Sequence, residues 1–210
     1  MPDFEIENKY PEYIIAGVDE AGRGPWAGPV VAGAVIIKDK NLNSSLLNGL
    51  NDSKKLSVTK RESLYKQLFE AQNLGLISIG IGQASVVEID ELNILQATFL
   101  AMQRAIRSLP ETPTLALIDG NRIPQNSDYR CQCVIKGDAK SYSISAASII
   151  AKVYRDNIMT EISKQYPYYG FEKNAGYGTS AHISGIKKYG ITQGIHRLSY
   201  KPIAKFLANQ

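Results

Sequence analysis

The sequence predicts an α/β fold, a central five-stranded sheet flanked by helices, on three observations. Five short apolar runs alternate with segments of helical periodicity along a chain of 210 residues. The first two runs lie close enough to pair as a hairpin and the later ones are separated by helices, so the sheet should be mixed. Three of the five runs finish in an acid, and strand ends are where an open α/β sheet places its working side chains.

The first strand is expected at about 13–19, Tyr-Ile-Ile-Ala-Gly-Val-Asp, and the second at 28–37, after a short turn. A Gly/Asn/Ser/Lys-rich loop follows at 48–56, then a helix over 58–71 with Ser57 as its N-cap. A third strand covers 76–81. Residues 84–108 read as helix, interrupted near Asn93. The fourth strand, 114–118, runs into Asp119-Gly120, and the fifth, 132–136, into Gly137-Asp138. A long helix occupies 142–165, where Ser145, Ala146, Ala147, Ser148 and Ala151 are small enough to let it lie close to the sheet. A Gly-rich loop at 170–178 and two short helices near 180–189 and 200–208 complete the chain. The economical reading is one domain, with about 166–210 as a small C-terminal helical appendage.

Composition narrows the function classes. A 44% hydrophobic and 21% charged chain of this length suits one sizeable core in water. The acidic start, Met1-Pro2-Asp3-Phe4-Glu5-Ile6-Glu7, lacks the apolar segment of a secretory signal, and no apolar stretch is long enough for a membrane span. Cys131 and Cys133 share one face of a strand without a second Cys/His pair to complete a zinc site, which fits structural thiols in a reducing cytoplasm. Charge is uneven. Residues 1–128 carry 12 Lys+Arg against 16 Asp+Glu, whereas 129–210 carry 12 against 4. A basic surface of that kind attracts a polyanion, although a solvated face has the same composition.

The most informative segment is Asp19-Glu20-Ala21-Gly22-Arg23-Gly24-Pro25. Like charges about 4 Å apart repel by roughly 4 kcal/mol at an effective dielectric near 20, and a divalent cation removes that cost. Adjacent strand residues face opposite ways, so Asp19 and Glu20 can share an ion only if the strand ends between them, as Ala21-Gly22 suggests. Asp119 and Asp138 add two more strand-end carboxylates. An oxygen-only donor set favours Mg²⁺ or Mn²⁺ over zinc. Each acid also has an ordinary reading: Asp119 as a turn residue before Gly120-Asn121, Asp138 as the cap of the helix that follows.

Taken together the motifs resemble those of bacterial ribonuclease HII. The resemblance is carried by Asp19–Pro25, Asp52-Ser53-Lys54-Lys55-Leu56, Asp119-Gly120 and Gly137-Asp138. It continues through Ala146-Ala147-Ser148-Ile149-Ile150-Ala151-Lys152-Val153 with Arg155-Asp156, and Gly176-Tyr177-Gly178-Thr179, in order from about 14 to 200. It implies a ribonuclease H-like fold and cleavage of the RNA strand of RNA–DNA hybrids. It also implies nicking of duplex DNA 5′ to single embedded ribonucleotides, leaving 5′-phosphate and 3′-hydroxyl ends. By the same resemblance Asp19, Glu20, Asp119 and Asp138 are the catalytic metal ligands, holding two Mn²⁺ or Mg²⁺ ions in the substrate-bound state. Gly22, Arg23, Gly24 and Tyr177 correspond to the elements that recognise the ribonucleotide. Lys54, Lys55 and Lys152 are candidate phosphate contacts, which position a duplex without reading bases. Lys152 and Asp156 are also spaced for an ordinary helix salt bridge. His196 is expected to pack or to contact backbone, and His182 has a supporting role open to it.

Two readings compete with a monomeric, metal-dependent endoribonuclease. One is a non-catalytic nucleic-acid-binding module that keeps the scaffold, which intact acids at all four positions disfavour. The other is a different two-metal nuclease on the same fold, which would cut all-DNA duplexes as readily as chimeric ones. The paralogous ribonuclease HIII carries an additional N-terminal domain, whereas about 13 residues precede the first strand here.

Overall fold

β1 (Ile15–Ala21) is apolar on both faces until its last residues, as a central strand requires. It pairs antiparallel with β2 (Val30–Ile37) on one side and parallel with β4 (Leu115–Asp119) on the other. β3 (Ile77–Ala84) and β5 (Arg130–Val134) are the edges, giving the order β3-β2-β1-β4-β5. The computed structural model describes residues 1–50, 56–125 and 127–208. Asp52, Ser53, Lys54 and Lys55 therefore lie outside the described residues.

The two faces of the sheet carry different helices. On one, Ala16, Val18, Ala32 and Ala34 pack with Ala101, Met102, Ala105 and Ile106 of α4 (Ile94–Arg107). On the other, Val35 and Ile79 pack with Ala146, Ala147, Ile149 and Ile150 of α5 (Tyr142–Gln165), and α2 (Val58–Asn73) adds Leu64 and Leu68. α1 (Ser44–Gly49) was not foreseen; it is only a turn or so long. α3 (Val86–Leu92) opens with a complete Ser85/Glu88 capping box, and Asn93 both ends it and caps α4. A third cluster joins α6 (Phe171–Asn174), α7 (Ser180–Tyr189) and α8 (Lys201–Ala208) to Trp26, Ala27 and Met159 through Phe171, Ile186 and Ile203.

Several boundaries differ from the sequence reading. β1 does not stop between Asp19 and Glu20; it stays paired through Ala21, with Asp19 opposite Gly33 and Glu20 opposite Ala32. The connection to β2 is an irregular loop from Gly22 to Pro29 rather than a short turn. β5 ends at Val134, ahead of the expected 136, because Lys136 turns into the left-handed region at φ 56°. Cys131 and Cys133 are free and only half-buried, since β5 is an edge strand. Part of the Gly-rich stretch at 170–178 is the short helix α6, closed by the buried Asn174. Among the described residues no helix is long and apolar enough to cross a membrane.

The close seating of α5 depends on Gly33, the partner of Asp19. A Cβ there would lie 2.5 Å from the Ala147 carbonyl oxygen, so α5 can touch β2 only where no side chain intervenes. Gly33→Ala should lower unfolding free energy by about 1–3 kcal/mol through overpacking, measured by urea denaturation. A variant that unfolds with the wild-type midpoint would contradict that close contact.

Candidate active site

Strand register brings the first two acids together. The parallel ladder between β1 and β4 includes Val18 opposite Ile118, so Asp19 and Asp119 follow side by side at the C-terminal ends. Both have the parity of the residues that face α5. Asp19 is 5% exposed, and its carboxyl sits well above the ordinary range because of burial first, then the charges of Glu20 and Asp119. A hydrogen bond from Ser148 of α5 and one from the Glu20 amide, 2.7 Å to Oδ1, oppose the shift without cancelling it.

Asp119 is fixed from the other side, accepting the Gly137 amide at 2.7 Å. That bond draws the 3₁₀ turn Gly137–Ala139, and with it Asp138, toward the end of β4. Glu20 leaves on the opposite face, where Arg23 approaches it at 3.4 Å. Among the described residues no three His, Cys, Asp or Glu side chains converge into a ready-made metal cluster. Strand alternation sets Asp19 and Glu20 on different faces of the sheet, while Glu20 and Asp119 line one cavity at its end. Even so, buried Asp19 feels the negative charge of both Glu20 and Asp119, and every group involved is a hard oxygen donor. That is an environment a hard divalent cation relieves.

Two cavities flank Glu20 and Arg23. One, of about 360 Å³, is lined by Leu95, Phe99, Met102, Asp119 and Arg122. The other, of about 270 Å³, is lined by Gly22, Gly24, Lys152, Arg155 and Tyr177. Lys152 makes the ordinary helix salt bridge, donating to Asp156 at 2.7 Å, and borders this second cavity. Tyr177 is 49% exposed, with its ring against Gly24. Gly22 has φ +97°, and a Cβ on it would fall 1.9 Å from Arg155 Nε, so only glycine fits.

Buried guanidiniums hold this loop from behind. Arg155 donates to the carbonyls of Pro29, Ala175 and Ala27 at 2.9–3.1 Å. Its pKa is pushed down to about 10 by burial and then by the charge of Arg197, which still leaves it protonated at neutral pH. Arg197, fully buried, reaches the carbonyls of Gly22, Arg23, Gly28 and Pro29. Asp90 of α3 anchors the segment carrying Arg197 by accepting the amides of Leu198 and Ser199, each at 2.9 Å.

Residues 16–203 match the family model for ribonuclease HII. A ribonuclease HII of Jannaschia sp. (strain CCS1) is 52% identical over 206 residues, covering 98% of each chain. The chain belongs to the ribonuclease HII family. A ribonuclease HII of Vibrio parahaemolyticus is 50% identical, covering 99% of this chain and 92% of that one. Among solved structures, ribonuclease H2 from Pyrococcus horikoshii OT3 superposes with a TM-score of 0.74 at 29% identity, over 93% of this chain and 97% of that one. Bst-RNase HIII, solved in complex with Mn²⁺, shares the fold with a TM-score of 0.69 at 18% identity, covering 93% of this chain and 69% of its own. The fold is ribonuclease H-like.

Sequence reasoning within this ribonuclease HII framework left out Ser148 as a partner of Asp19 and Arg197 as a brace of the glycine loop. Ser148 was visible as a small residue on a sheet-facing helix and as part of the Ala146–Val153 motif, with no role of its own. Arg197 lies far along the chain, and nothing local in His196-Arg197-Leu198-Ser199 distinguishes a buried arginine from a basic surface.

The two histidines resolve into one relay. His196 Nδ1 lies between the Thr192 N–H at 3.0 Å and the Thr192 carbonyl at 3.2 Å. Because the Tyr177 carbonyl at the other end of the chain of bonds can only accept, the neutral pair that satisfies every contact carries its His196 proton on Nε2. That nitrogen donates to His182 Nε2 at 3.1 Å, and His182 Nδ1–H in turn donates to the Tyr177 carbonyl at 3.0 Å. Both rings are neutral in this arrangement, and burial lowers both pKa values, that of His196 to about 4. A histidine depressed on folding contributes stability above its unfolded pKa near 6.5, and this is lost as pH falls toward about 4. The loss attributable to His196 should approach 3 kcal/mol. Urea unfolding at pH 7 and pH 4.5 should therefore show a steeper acid loss in wild type than in His196→Phe. Parallel pH profiles would contradict the relay.

Proposed function

We propose that the chain is a metal-dependent endoribonuclease that cleaves the RNA strand of RNA–DNA hybrids. It also nicks duplex DNA 5′ to single embedded ribonucleotides, leaving 5′-phosphate and 3′-hydroxyl ends. The observation that carries this is the placement of Asp19 beside Asp119 at the ends of adjacent parallel strands, in a chain of the ribonuclease HII family.

Asp19, Glu20, Asp119 and Asp138 would hold the divalent cation, Mn²⁺ or Mg²⁺, with two ions when substrate is bound, Glu20 joining from the other face through the cavity it lines together with Asp119. The bound ions supply Lewis acidity toward water and the departing oxygen. The protein's own part is positioning. Ser148 and the Glu20 amide orient Asp19, and the Gly137 amide orients Asp119. Gly22, Arg23 and Gly24 present backbone to the ribose, whose 2′-hydroxyl separates RNA from DNA. Tyr177, half-exposed and packed against Gly24, offers its ring to the sugar. Lys152 borders the same cavity as a phosphate contact. Lys54 and Lys55 take that role on sequence grounds alone. The enzyme acts as a monomer in the cytoplasm, where the free thiols of Cys131 and Cys133 stay reduced.

The deciding assay is cleavage of a duplex bearing one ribonucleotide, with Mn²⁺ or Mg²⁺. Asp119→Asn should lower kcat on the order of a thousandfold, about 4 kcal/mol, while hybrid binding persists. Near-normal turnover in that variant would remove Asp119 from the site, and binding without cutting by wild type would mark a recognition module. Tyr177→Ala should reduce discrimination for the lone ribonucleotide by about tenfold with little change in melting temperature. A collapse in stability instead would make Tyr177 a packing residue.

A further inference from the structure

We propose that Arg197, assisted by Tyr200, sets the recognition face of the Gly22–Gly24 segment by turning its peptide planes. Arg197 Nη2 donates to the Gly22 carbonyl at 2.6 Å and Nη1 to the Arg23 carbonyl at 3.0 Å. The Tyr200 hydroxyl donates to that same Arg23 carbonyl at 2.5 Å and receives a bond from Arg197 Nη1 at 2.8 Å. Two consecutive carbonyls are thus drawn to one buried side of the loop.

Peptide planarity supplies the consequence. In a trans peptide the carbonyl of one residue and the N–H of the next point in opposite directions, and no peptide bond among the described residues is cis. Pulling the Gly22 oxygen inward sends the Arg23 N–H outward, and pulling the Arg23 oxygen inward sends the Gly24 N–H outward. Among the described residues neither amide has an acceptor. Gly22, Arg23 and Gly24 line the 270 Å³ cavity bordered by Tyr177 and Lys152. Two successive amide donors turned away from the buried side, on residues that line that cavity, are suited to an oxygen of the sugar–phosphate link. Arg197 itself is 0% exposed and cannot touch substrate. It is a positioning residue that acts through backbone groups.

The brace is locked by further hydrogen bonds of the same residue. Nε and Nη2 of Arg197 also bond the Gly28 carbonyl at 2.9 and 2.8 Å, so the far end of the loop is held by the same guanidinium. The Arg197 amide donates to the Trp26 carbonyl at 2.8 Å. Lysine, a single ammonium with no fork, can serve one or two of these oxygens but not the set.

This inference rests on the proposed reading of the glycine segment as the 2′-hydroxyl sensor, so the test separates the two. KM for a duplex with one ribonucleotide is compared with the inhibition constant of an all-DNA duplex of the same sequence. The comparison is made for wild type, Arg197→Lys and Tyr200→Phe, with thermal melts of each. Wild type should favour the ribonucleotide duplex. Arg197→Lys should raise its KM at least tenfold and Tyr200→Phe several-fold, with the all-DNA inhibition constant changed less than twofold. Should wild type not discriminate, the sensor reading fails. If wild type discriminates and the folded variants keep its ratio, or lose affinity for both duplexes equally, the positioning role is overturned. Where Arg197→Lys does not fold, Tyr200→Phe alone decides.

Discussion

A carboxylate buried beside another carboxylate is the constraint around which the rest of this protein is arranged. Asp19 occupies a position on a central strand where the preceding residues are wholly apolar, and Asp119 follows at the matching point of the neighbouring strand. Nothing in a hydrophobic core favours that. The local compensations, a serine hydroxyl from α5 and one strand amide, leave the Asp19 carboxyl reluctant to ionise. A protein that tolerates such a pair stores unfavourable electrostatic energy that an incoming cation can release. Close seating of α5, made possible by Gly33, is what buries Asp19 and brings Ser148 within reach of it.

The second organising element is the loop between β1 and β2. Loops that read a substrate need backbone groups at fixed positions, and a glycine-rich segment has no side chains of its own to fix them. Here the stiffness is supplied from behind by Arg155 and Arg197, whose hydrogen bonds run mainly to loop carbonyls. The C-terminal helices supply the remainder. Phe171, Ile186 and Ile203 pack around Trp26 and Ala27, and the histidine relay ties the Tyr177 carbonyl to Thr192. The C-terminal part is thus a clamp on the loop between β1 and β2, and one of its basic residues, Arg197, is a buried guanidinium rather than part of a solvent-facing groove.

Much of this was legible in the sequence, and the failures have physical causes. The strands, the long helix at 142–165 and the break at Asn93 follow from local periodicity and capping, which need no knowledge of distant residues. Strand ends were less accessible. β1 continues through Asp19 and Glu20 because β2 offers partners up to Val31, a fact of pairing rather than of propensity. That extension is why Glu20 has the parity of the α4 side and meets Arg23, on the face opposite Asp19. The acids themselves stood out, as charges closing apolar runs. Ser148 and Arg197 did not, because their importance lies in bonds to residues more than a hundred positions away.

The central claim is that Asp19 is electrostatically strained until a cation arrives. The most direct test is thermal unfolding of the metal-free protein and of Asp19→Asn at neutral pH, each repeated with Mn²⁺. Removing the buried charge should make the metal-free variant more stable than wild type, and Mn²⁺ should raise the melting temperature of wild type far more than that of the variant. A less stable Asn variant, together with a wild-type protein indifferent to Mn²⁺, would contradict the account.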